Sequence, residues 1–159
     1  MKTLYTTTLL ALCSASVHAF EPAQITGQWQ CQGSDEMVRF SGTSDYRADG
    51  TLHTIVDMNI EDDGKTLSYH VEANGTWQLK DQRIEDTSQA TLLERRHSAD
   101  TQAWLAESED AQLLESLTYS GLEAMLAEPK TDSIGIKSLS QNTMLLEDDT
   151  FKAECTRLK

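Results

Sequence analysis

The chain has 159 residues, and its 26 Asp and Glu against 13 Lys and Arg give a formal net charge of −13. A chain of this length builds one domain with a core of its own, without internal repeats or metal staples. The acidity excludes association with nucleic acid or an anionic membrane surface through bulk charge, and no transmembrane segment is expected, since no stretch reaches the roughly 20 apolar residues that a spanning helix needs.

The amino terminus reads as a secretory signal. Lys2 gives a positive start, Leu4 to Val17 a short apolar run, and Val17-His18-Ala19 a small-residue cleavage site ahead of Phe20. Residues 1–19 are therefore the signal peptide and residues 20–159 a single exported domain, periplasmic or secreted after cleavage following Ala19. Leu10-Ala11-Leu12-Cys13 approaches a bacterial lipoprotein box, but such boxes carry a small residue where Leu12 stands, so anchoring at Cys13 is not expected. Either processing removes Cys13. Cys31 and Cys155 remain, in a compartment that permits disulfides, and are expected to pair.

Hydrophobic alternation dominates the chain beyond Ala19. A first strand sets Ile25, Gly27, Trp29 and Cys31 on one face and Thr26, Gln28, Gln30 and Gln32 on the other. Val38, Phe40, Gly42, Ser44 and Tyr46 continue as a second. Leu52, Thr54, Val56, Met58 and Ile60 form a third, between the turns Arg47-Ala48-Asp49-Gly50 and Glu61-Asp62-Asp63-Gly64. These strands join a meander from about Met37 to Leu79. In its last strand Leu67, Tyr69, Val71, Ala73, Gly75, Trp77 and Leu79 alternate with polar neighbours. Asn74-Gly75 would suit a hairpin turn, but a turn there would mix the two faces; one long strand with Gly75 as a bend or bulge keeps them apart.

A fifth, more polar strand is expected from Arg83 to Leu93. The texture then changes: from about residue 100 to 128, Trp104, Leu105, Leu113, Leu114, Leu117, Leu122, Met125 and Leu126 recur at helical spacing. Ser120-Gly121-Leu122-Glu123 has capping-box form, which predicts two helices divided near Ser120, with Glu128-Pro129 as the stop. This helical insertion is expected over one barrel mouth. Short strands at Ile134 to Leu139, Thr143 to Leu146 and Phe151 to Leu158 complete a mainly β fold: an antiparallel up-and-down barrel of about eight strands with a helical insertion before the last strands. The first and last strands of such a barrel are neighbours, which puts Cys31 and Cys155 across the closing seam.

Signs of chemistry are sparse. His53, His70 and His97 lack metal-ligand spacing, no Gly-x-Ser-x-Gly elbow singles out a serine, and the acidic turns at Glu61 and Glu147 lack the alternating ligands of a calcium loop. No catalytic residue, metal or cofactor is assigned, and the chain is expected not to be an enzyme. Asn74-Gly75-Thr76 fits the glycosylation pattern but lies within a strand.

Gly27-Gln28-Trp29 at the start of the first strand, Tyr46-Arg47-Ala48-Asp49-Gly50-Thr51, and Gly75-Thr76-Trp77 together resemble bacterial lipocalin-like proteins. In that calycin-type group a Gly-x-Trp opens the barrel, and its Trp closes the floor; the helix usually follows the barrel instead of interrupting it. The resemblance implies a cup for a small apolar molecule, with Trp29, Phe40, Tyr46, Tyr69, Val71, Trp77 and Leu79 as candidate ligand-binding residues. It is similar too to periplasmic inhibitors of proteases and lysozymes, which implies the alternative of an inhibitor or immunity protein that blocks a basic partner enzyme through acidic loops.

Overall fold

A computed structural model describes residues 20–35, 38–62, 64–149 and 151–159. The leader with its Ala19 cleavage position and Cys13 lies outside the described residues, as do Met37 at the start of the meander and Asp63 of the acidic turn. After a short helix α1 (Pro22–Ile25) come β1 (Gly27–Ser34), β2 (Val38–Tyr46), β3 (Thr51–Asp62), β4 (Lys65–Lys80) and β5 (Arg83–Arg95). Helices α2 (Ala99–Glu107) and α3 (Glu109–Leu126) come next, then β6 (Lys130–Leu139), β7 (Thr143–Glu147) and β8 (Lys152–Arg157). Each strand pairs antiparallel with the next, and β8 returns to β1, so the sheet closes as an up-and-down barrel. Among the described residues no helix is long and apolar enough to cross a membrane.

Cys31 stands directly opposite Cys155 in the β1–β8 register, and the two are joined as a disulfide. Beside it Arg157 fastens the same seam. Its guanidinium lies 4.2 Å from the centre of the Trp29 ring and donates to the carbonyls of Gln24, Thr26 and Gln141 at 2.5, 2.6 and 2.8 Å. Gly27 has φ +127, and a Cβ there would collide with that guanidinium, so glycine serves the approach as well as the backbone conformation. Trp29 is fully buried, and its indole N–H donates to the Ile25 carbonyl at 2.7 Å. With Tyr46, Trp77, Ile84, Ile136 and Met144 it forms the floor of the barrel.

The later tryptophan motif meets the turn motif here. Trp77 donates its indole N–H to the Arg47 carbonyl at 3.0 Å and its backbone N–H to the Gly50 carbonyl at 2.8 Å, which ties β4 to the β2–β3 turn. Asp49 accepts from both the N–H and the hydroxyl of Thr51, and Gly50 takes the left-handed conformation (φ +82) that the turn requires.

Three local expectations are corrected. Ile25 ends α1 and does not enter the first strand: Pro22 opens that turn, and Glu21 and Gln24 cap it reciprocally. The long strand β4 is continuous, but its irregularity lies between Glu72 and Ala73, where β5 carries Thr91 as an extra residue, and not at Gly75. Gly75 instead permits close approach, because a Cβ would strike the backbone of Thr87 and Ser88. The helices divide at Ser108, whose side chain caps Ala111 N–H, while Ser120 is an interior residue of α3. Tyr119 and Leu122 pack against the barrel on either side of the would-be break, and that burial outweighs the roughly 1 kcal/mol cost of Gly121 in a helix.

The disulfide spans 124 residues of sequence, so it restricts the unfolded chain strongly, by about 5 kcal/mol in the chain-entropy account. Replacing Cys31 with Ser is expected to lower the melting temperature by roughly 10 °C or more. Wild-type protein melted in reductant should coincide with the variant; an unchanged melt would contradict the fastening role.

Candidate ligand-binding cavity

Inward side chains set the interior in tiers. Above the aromatic floor the middle tier is small: Ser44 on β2, Thr54 on β3, Ala73 on β4, Ser88 on β5 and Ala153 on β8. Small side chains in a barrel of this size leave room, and a cavity of about 550 Å³ lies there. Its apolar wall is formed by Leu52, Val56, Met58, Val71, Ile134 and Leu146, with Phe40 and Phe151 stacked at 4.9 Å.

Helices α2 and α3 lie over Leu67, Tyr69, Met58, Ile60 and Leu93, and present Trp104, Leu105, Tyr119 and Leu122 to them. The polar centre of this contact is Glu115. It accepts from Arg95 Nε at 2.8 Å and from the Tyr69 hydroxyl at 3.3 Å, and lies 3.4 Å from His97 Nε2. Burial works to raise the Glu115 carboxyl, but the hydrogen bond and charge of Arg95, with His97, hold it below the usual carboxylate range. Burial, and then the charge of Glu115, push the Tyr69 phenol well above its ordinary value. Arg95 also stacks 3.4 Å over the Tyr119 ring, which joins strand, helix and carboxylate in one cluster.

The bulge in β5 decides which of that strand's residues face inward. Below it Ile84, Asp86, Ser88 and Ala90 stand opposite the inward residues Leu79, Trp77, Gly75 and Ala73; above it Leu93 stands opposite Val71. Asp86 thus enters the cavity, and Asp132 is its partner across the β5–β6 ladder. Burial, and then the charge of Asp132, push the Asp86 carboxyl up to about 6, against a hydrogen bond from Ser88 and the charge of Lys130. Lys130 and Asp132 form a 3.4 Å ion pair that is more than half exposed at the opening, and Asp148 borders the cavity from the turn after β7.

Of the residues expected to bind a ligand, Phe40, Tyr46 and Val71 line the cavity. Trp29 and Trp77 belong to the floor, with Leu79 packed against it, and Tyr69 is sealed beneath the helices at 1% exposure. The residues that sequence reasoning missed are Asp86, Ser88, Lys130 and Asp132. Of the histidines, His70 is buried on the outer face with Nδ1 2.7 Å from Asp57, while His53 meets Asn74. In the acidic turns Glu61 pairs with Arg39 across two strands, and Asp148 accepts from Phe151 N–H.

These groups generate two expected outcomes. Removing Glu115 leaves Arg95, Tyr69 and His97 without their common acceptor, so Glu115→Ala is expected to cost about 1–3 kcal/mol and to speed amide exchange across α2 and α3 ahead of the floor strands. For Asp86, the advantage of the protonated form is fully present below pH 3.8 and lost as pH rises through about 6. Asp86→Asn keeps that neutral state at every pH. It should therefore melt above wild type near pH 7.5, by about 1–2 kcal/mol after discounting for solvent screening, with the difference fading toward pH 4. Paired melts at the two pH values would expose a constant difference, which contradicts the assignment.

Comparison with protein-family models finds no match, and comparison with curated proteins finds none. Among solved structures the chain is similar to an uncharacterized protein from Bacteroides eggerthii, at 14% identity and a TM-score of 0.42, over 84% of this chain and 98% of that one. It is also similar to a lipocalin-like protein from Bacteroides uniformis, at 15% identity and a TM-score of 0.39, over 85% of this chain and 99% of that one.

Proposed function

We propose that this protein is an exported, non-catalytic binding protein that holds a small, mainly apolar molecule inside its barrel. The observation that carries the reading is the cavity of about 550 Å³ inside the barrel, above its aromatic floor, within the size range of small-molecule sites. Its aliphatic wall and stacked phenylalanines favour an apolar body, and the few polar side chains at one edge would set its orientation. The signal-like leader supports export to the periplasm or beyond, and the disulfide accords with an oxidising compartment.

Native mass spectrometry of protein purified without detergent tests the reading directly. A stoichiometric adduct of a few hundred daltons is expected, and Val71→Trp, which projects an indole into the cavity, should abolish it. Absence of any adduct, together with no uptake of an apolar fluorescent probe by wild-type protein, would overturn the proposal.

A further inference from the structure

The charges around the cavity are unequally divided. Asp86, Asp132 and Asp148 border it, whereas Lys130 is the one cationic side chain among the described residues that line it. That ammonium is already engaged, 3.4 Å from Asp132. Asp86 and Asp132 stand side by side on adjacent strands, so two carboxylates project from neighbouring positions toward the same edge of a mainly apolar space. The cavity is the site; the carboxylates decide which end group it accepts.

We propose that the ligand is a cationic amphiphile: an alkyl or aryl body seated against Phe40, Val56, Met58 and Phe151, with a protonated amine held between Asp86 and Asp132. This rests on the reading of the barrel as a binding cup and specifies the polar end of what it holds. An ammonium there relieves the repulsion between the two carboxylates and makes charge-assisted hydrogen bonds to them, with the Ser88 hydroxyl as a further acceptor. A carboxylate ligand would add another negative charge and would have to take Lys130 from Asp132. Burial, and then the charge of Asp132, displace the Asp86 carboxyl upward to about 6, and a cation seated beside both carboxylates would favour its ionised form. The acidic protein as a whole adds a field that draws cations toward it.

Calorimetric titration of the mature, disulfide-bonded protein with decylamine, decanol and decanoate, each below its micellar concentration, separates the possibilities. Decylamine is expected to bind tightest, about tenfold or more over decanol, with decanoate weakest. In Asp86→Asn combined with Asp132→Asn the amine should fall to the level of the alcohol in the same variant. Equal affinities, a preference for decanoate, or an amine advantage that survives the double substitution or Val71→Trp would overturn the inference and leave the cup reading standing where decanol still binds. Failure of all three to bind would instead count against the cup itself.

Discussion

The pairing of β1 with β8 gives this molecule an inside. The seven pairings between consecutive strands, that of β5 with β6 made across the helical insertion, would alone leave a twisted, open sheet with two unsatisfied edges; the eighth satisfies both and encloses the inward faces of all the strands. That contact joins segments far apart in sequence, and its loop-closure cost is correspondingly high. Three features meet it at one place: a covalent bridge, a guanidinium that satisfies three backbone carbonyls, and a glycine whose missing side chain admits that guanidinium.

Enclosure alone does not leave a cavity, since a barrel of eight strands can be filled by its own side chains. Here the large residues are gathered at the two ends. Trp29, Tyr46 and Trp77 occupy the floor, Tyr69 and Leu67 lie under the helices, and serine, threonine and alanine remain between them. The helical pair adds bulk where the strands alone would gape, and Glu115 gives that apolar contact a fixed polar register.

Much of this was legible in the amino-acid order, and the illegible part has identifiable causes. Strict alternation in β3 and β4 specified their faces, and the positions of Cys31 and Cys155 in the first and last strands agreed with closure. Alternation tells which face a residue is on, but not how deep along the barrel it sits. Depth depends on strand stagger, which is why Phe40 and Val71 reach the cavity while Trp77 on the same face closes the floor. The extra Thr91 reverses parity partway along β5, so Asp86 and Ser88, inward in fact, read as ordinary solvent-facing residues of a polar strand. Ser108 and Ser120 each sit at a plausible helix start. Only the burial of Tyr119 and Leu122 against the strands decides between them.

The clasp formed by Arg157 also has a temporal meaning. Two of the three carbonyls it grips belong to residues 24 and 26, among the first of the described chain to be synthesised, while the guanidinium itself arrives more than a hundred positions later. Until then the opening strand can pair with β2 but has neither β8 on its other edge nor its tryptophan's cationic cover. Closure of this barrel is thus completed by its own carboxyl-terminal segment, a keystone laid after every other stone.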